Sequence, residues 1–173
     1  MKTLNRSQQK LLKTFHLISA GIWMTGVVIL MLMPLVLQNI TSGDELYMYD
    51  RIYHFIDMKV LTPAAVFTLI TGLIFSIYTK WGFFQHGWLI YKWTITIGII
   101  ISGTFYLGPM VTEMLHISDI KRIAALEDSY YQSGLFTGLW ASIVNTILLI
   151  IAVAVSVYKP WKNIKKSNQL KKE

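Results

Sequence analysis

The sequence predicts an all-α protein: a four-helix transmembrane bundle with both termini cytoplasmic. Three observations carry that expectation. Hydrophobic residues make up 54% of the 173 residues and charged residues only 14%, against roughly 25% charged in soluble domains. The apolar residues fall in four long runs, 15–37, 60–79, 88–110 and 135–158, each close to the ~20 residues that cross the hydrocarbon as a helix. Lysine and arginine gather on one side of that up-and-down pattern, as they do in cytoplasmic segments. The whole chain reads as one integral membrane domain, with no linker long enough to separate two.

The first run follows a basic start containing Lys2, Arg6, Lys10 and Lys13, and Leu17 to Leu37 is free of charge. A signal peptide also opens this way, but its apolar core is only about 7–15 residues long. With Met1 still present, the run is expected to remain as the first span, kinked near Pro34. Residues 38–59 leave the membrane. Asn39 to Gly43 reads as a turn and Asp44 to Asp57 as a short amphipathic helix in the first outer loop. Leu46, Tyr49, Tyr53 and Ile56 share one face, and Tyr47, Asp50, His54 and Asp57 another.

The second span carries Pro63 in its first turn, where a missing N–H costs little. Thr68, Gly72 and Ser76 give it a small-residue stripe of the kind that lets membrane helices approach closely. A short turn over 80–87 makes the second and third spans antiparallel neighbours, with Trp81 and Trp88 at the interface. The third span bears a second small stripe, Thr94, Gly98 and Ser102. Pro109 is expected to bend its outer end, with the helical pattern running on through Met114, Ile117 and Ile120. The fourth span has a third stripe, Gly134, Gly138, Ser142 and Thr146, and an Asn145 expected to bond across helices at mid-membrane depth.

Twelve of the sixteen basic residues fall on the side of the N-terminus, the 80–87 turn and the C-terminal tail; eight of the nine acids fall opposite. The net charge of +7 therefore points to a lipid surface and not to nucleic acid. The expected location is a bacterial-type inner (plasma) membrane. The absence of cysteine removes disulfides, thiolate chemistry, iron–sulfur ligation and covalent haem attachment. No nucleotide-binding loop, catalytic serine triad or H-E-x-x-H pattern occurs.

Candidate chemistry lies at the span ends. His16 and His86 stand at the cytoplasmic ends of spans one and three. A b-type haem wants neutral imidazoles from different helices, small and apolar residues against the ring, and cations near its propionates. His16 shares a face with Ser19, Ala20, Trp23 and Val27, and Lys13 and Lys92 stand at the same depth. The plainer reading is an interfacial histidine reaching toward headgroups, with Lys92 doing the same. On the outer side, Asp50 and His54 are four apart and Glu113 and His116 three apart. Carboxylate and imidazole from two helices suit zinc, manganese or iron; a solvated rim is the simpler account of the same four.

Phe15-His16-Leu17-Ile18 with Trp23-Met24-Thr25-Gly26 resembles the first helix of the membrane protoporphyrinogen oxidase family and of copper-resistance D-type membrane proteins. Trp88-Leu89-Ile90-Tyr91-Lys92 resembles the start of a later helix in that group. From the first span through about Met114, most visibly at Asp57 to Gly72 with Thr62-Pro63-Ala64, the chain is similar to a family of integral membrane proteins of unknown function. The resemblance implies a four-helix membrane fold and haem binding, with His16 and Lys92 on the oxidase motif positions. The chain departs where the oxidases carry a further histidine, here near Gly98 and Ile99, and it lacks their C-terminal arginine–asparagine motif, ending Lys159-Pro160-Trp161.

Three functional expectations follow. The first is a membrane oxidoreductase, binding haem b or linked to a quinone or porphyrin. His16 is its axial ligand, His86 or a partner's histidine the second ligand, Trp23 and Ala20 the ring-facing residues, and Lys92 a propionate partner or proton donor. The second is a non-catalytic transport or accessory subunit that packs with itself or a partner through the small stripes. The third is a metal site at Asp50, His54, Glu113 and His116.

Overall fold

The computed structural model describes residues 4–79, 82–83 and 85–161. Among them every regular element is helical, and four helices are long and apolar enough to cross a membrane. The first is α1 (Arg6–Leu32), which continues after a break at Met33 as α2 (Pro34–Leu37). The second is α3 (Gly43–Phe55), a π-helical segment (Ile56–Leu61) and α4 (Thr62–Tyr78). The third is α5 (Gly87–Ser102), a second π-helical segment (Gly103–Leu107) and α6 (Gly108–Lys121). A 3-10 turn (Arg122–Glu127) leads to the fourth, α7 (Ser129–Tyr158).

Local chemistry sets these boundaries. Asn5 opens α1 with a capping box to Gln8, and Ser42 opens α3 with one to Glu45. Asp128 accepts from the amides of Tyr130 and Tyr131 to start α7, and Lys121 grips the same carboxylate at 2.6 Å. At Met33, just before Pro34, where the sequence predicts a kink, the helix is interrupted although Met33 keeps helical backbone angles (φ −51°, ψ −39°). Pro63 and Pro109 act differently. Each stands two residues beyond a π-helical segment. A proline ring presses on the carbonyl four residues back and supplies no N–H. The preceding turn widens instead of breaking: Thr62 N–H bonds Asp57 O, and Gly108 N–H bonds Gly103 O, both five residues back. The helix past Pro109 runs on to Lys121, as the sequence pattern suggests.

Two consequences differ from expectation. The helix over 43–55 is present, but it is no separate loop element; it runs through the first π-helical segment into α4. And α4 touches α5 only lightly, although a short turn joins them: α4 packs mainly on α1, and α5 on α7. Burial dictates those pairings. The Thr68 and Ser76 stripe of α4 is buried, whereas Thr94, Gly98 and Ser102 of α5 all face outward. The α7 stripe is used inward, with Gly134, Ser142 and Thr146 buried.

The core has two compartments. One lies between the apolar runs: Trp23, Val27, Ala64, Ala65, Ile99 and Leu149. The other joins α3, α6, the 3-10 turn and the start of α7: Leu46, Met110, Val111, Met114, Ala125 and Tyr131. Gly43 lets the second close. A Cβ there would overlap the Arg122 side chain and come within 2.9 Å of the Ile123 amide nitrogen. Arg122 itself turns the chain with a left-handed φ of 52°. Leu46 and Tyr49 face inward as the helical spacing indicates. Trp81 and the lysines beyond Trp161 lie outside the described residues.

Candidate functional site

Two polar features among the apolar runs are candidate sites. The first is at His16. Its Nδ1 lies 2.8 Å from Thr71 Oγ1 on α4. The Thr71 hydroxyl donates to the carbonyls of Phe67 and Thr68, at 2.8 and 3.0 Å. Its one proton is thereby used, so the oxygen accepts and His16 Nδ1–H donates. The lone pair of the neutral ring is then on Nε2. The network continues: Ser19 Oγ donates to the His16 carbonyl, and Thr68 Oγ1 reaches Ser19 Oγ at 3.0 Å. Phe75 meets the imidazole edge-on at 6.0 Å, and Gly72 leaves room beside it. Lys92 is near enough to act on His16 electrostatically. Ser19 and Trp23 point into the bundle and Ala20 is half-buried.

His86 behaves otherwise. It caps the start of α5, and its ring stacks on Trp88 at 6.0 Å. The outer residues do not form a shared cluster. Asp50 is 4% exposed and accepts a 2.8 Å hydrogen bond from Tyr131 Oη, 81 residues away in sequence. That corrects the solvated-rim reading for Asp50. His54 Nε2 instead faces Thr112 Oγ1 at 3.3 Å. Among the described residues no group of three or more His, Cys, Asp or Glu is arranged to hold a metal ion. Asp50 precedes the apolar run of its helix by ten residues. Burial pushes its carboxyl up from 3.8 to about 6, against the pull of the Ser118 and Tyr131 hydroxyls.

The second feature is a cavity of about 80 Å³ among all four long helices. Both π-helical segments line it, through Asp57 and Leu61 on one side and Gly103, Thr104 and Leu107 on the other. Its polar groups are Trp23, Tyr53, Asp57, Thr62, Thr104, Ser142 and Asn145. The Trp23 side chain is 2% exposed, yet its indole N–H has no acceptor. Thr146 Oγ1 is the other buried side-chain atom without a partner among the described residues. The Asp57 carboxylate has no hydrogen-bond donor among them, and His54, one turn earlier, acts on it electrostatically. Asn145 lines this cavity and does not make the cross-helix bond expected of it. The exposed lining residues are Thr62 and Val66 of α4 and Thr104 opposite, so the mouth lies where α4 and the α5 side barely touch.

Asp57, Tyr53 and Thr104 are not among the site residues that the sequence predicts. One signal could have found them. Prolines interrupt the second and third apolar helices at corresponding positions, Pro63 and Pro109, which in membrane proteins points to irregular backbone lining a cavity. No protein-family model matches the chain, and neither a curated protein nor a solved structure matches it.

Proposed function

We propose that the chain is an integral membrane redox protein, with its termini on the cytoplasmic side and His16 as its cofactor-facing imidazole. The observation that carries this is the 2.8 Å pairing of His16 Nδ1 with the Thr71 hydroxyl; in the tautomer with its proton on Nδ1 the Nε2 lone pair is left available. Metal-ligating histidines are held in this way: the second ring nitrogen donates to a fixed acceptor, which sets the tautomer and the ring plane. The helix lengths support the membrane placement. The second and third helices of 36 and 41 residues exceed the ~20 needed for hydrocarbon, so α3, α6 and the 3-10 turn stand beyond it on the acidic, outer side.

His16 would hold the iron of a haem b through its second ring nitrogen, and that group would supply one-electron chemistry when bound. The chain's own residues do the rest. Thr71 orients the ring, Gly72 keeps the space beside it open, and Lys92 offers a cation to a propionate. His86 remains the second candidate ligand on the chain. To test this, the protein is produced with haem available and its absorption recorded oxidised and dithionite-reduced. A Soret band is expected, lost in His16→Ala. In Thr71→Val, haem affinity is expected to fall about tenfold or more. Wild-type protein without a Soret band removes the haem reading.

A second reading, an accessory subunit that packs with a second copy or a partner, is favoured by the outward stripe on α5. A Cβ at Gly98 would meet nothing within 4 Å, and Thr94 and Ser102 are exposed beside it. Small residues on a lipid-facing surface suit close helix contact. A monomer by detergent-corrected mass would remove this reading.

A further inference from the structure

We infer that the cavity between the two π-helical segments binds the head of a lipid-soluble ligand of the quinone class, admitted sideways from the bilayer. Its lining is mostly apolar, its mouth lies between lipid-facing residues, and its hydrogen-bonding groups come from separate helices. Trp23 N–H, from α1, is buried without an acceptor. An indole N–H in that state has lost its hydrogen bond to water and gained none in the protein, a deficit that an acceptor would restore. Tyr53, from α3, and Asn145, from α7, add further donors to the same wall. Asp57 supplies a carboxylate acceptor.

That mixture selects the ligand. A quinone presents carbonyl oxygens to N–H and O–H donors. Its reduced form presents hydroxyls, which a carboxylate accepts. A bare cation would match Asp57, Thr104 and the Asn145 carbonyl, but it gains nothing from an indole N–H. A phospholipid head would bring a phosphate against Asp57. The cavity of about 80 Å³ is roughly half the ~150 Å³ that encloses a benzene ring. A quinone ring therefore seats partly inside and partly in the mouth, with its tail left in the lipid. The π-helical turns line the space with i→i+5 bonding, wider than an α-turn, and Gly103 in the wall adds no side chain.

The redox reading above motivates the choice of head, but the site stands or falls separately. A short-tailed ubiquinone analogue is titrated calorimetrically into the full-length protein in detergent, beside sodium chloride. Saturable binding at one per chain is expected for wild type and for Gly21→Ala, where a Cβ meets nothing within 4 Å. Ala141→Leu, which fills the cavity, should bind at least tenfold more weakly. Trp23→Phe, which removes the N–H and keeps a ring, should weaken binding about three- to tenfold; if Ala141→Leu does not fold, this variant decides alone. Affinities equal to wild type in the variants that fold would overturn the site, because binding would then be partition into micelles. Saturable sodium binding without quinone binding would overturn it in favour of a cation. Quinone binding in protein that shows no Soret band keeps the site and rejects only haem; a Soret band without quinone binding does the reverse.

Discussion

Replacing Tyr131 with phenylalanine tests how the outer end of the bundle is held. Tyr131 is fully buried and Asp50 is 4% exposed, and the 2.8 Å bond between them ties α7 to α3. The substitution keeps the ring packing and deletes one donor to a buried carboxyl. A hydrogen bond to a charged group contributes about 1.5–3 kcal/mol, and a neutral one about 1 kcal/mol. The cost should therefore depend on whether Asp50 is ionised. Its folded pKa, about 6, stands above the ordinary 3.8. A raised carboxyl pKa means that folding favours the proton, so this group's contribution is complete below pH 3.8 and is lost as the pH rises through 6. Integrating those two values, wild type should be about 1.4 kcal/mol less stable at pH 8 than at pH 5 from Asp50 alone. Tyr131→Phe should cost about 2 kcal/mol at pH 8 and about 1 kcal/mol at pH 5. Asp50→Asn should flatten the pH dependence. Thermal unfolding of detergent-solubilised protein, followed by tryptophan fluorescence, reads each kcal/mol as about 2–4 °C. A Tyr131→Phe cost that is absent, or larger at pH 5 than at pH 8, would refute the reasoning.

Other expectations concern close approaches and backbone. Gly43→Ala should lower the thermal midpoint by several degrees, because the obstruction at Ile123 is backbone; Gly134→Ala should cost less, since the flexible Met114 side chain can move. Equal effects would show that backbone and side-chain obstruction are not distinguished here. Pro63→Ala should let the first π-helical segment relax toward α-helix, and the measured consequence is weaker quinone binding with unchanged helix content by circular dichroism. Thr94→Leu should shift any dimer toward monomer in detergent-corrected mass measurements, with no change in the thermal midpoint of the monomer.

The sequence made the architecture legible wherever one physical rule dominated. The apolar runs had to be helices of membrane length, because a backbone in hydrocarbon must satisfy its own hydrogen bonds. The disturbance near Pro34 was equally local. His16 and Lys92 could be placed at one depth by counting residues from the helix mouth. The candidate cavity was not legible in this way. Asp57 stood on the polar face of an amphipathic stretch, and Tyr53 read as core. Only their approach to Trp23 and Asn145 from other helices makes them one site.

By itself, then, the sequence determined four long apolar helices and the common face of His16, Ser19, Trp23 and Val27 on α1, consequences of periodicity and hydrophobic length. Tertiary structure decided which small stripe closes a helix pair and which is left outward. It also decided that Asp50 is buried against Tyr131, that His16 Nδ1 meets the Thr71 hydroxyl, and that two proline-widened turns face one cavity. Those outcomes depend on contacts between residues tens of positions apart, and local propensity does not encode which distant partner a side chain will meet.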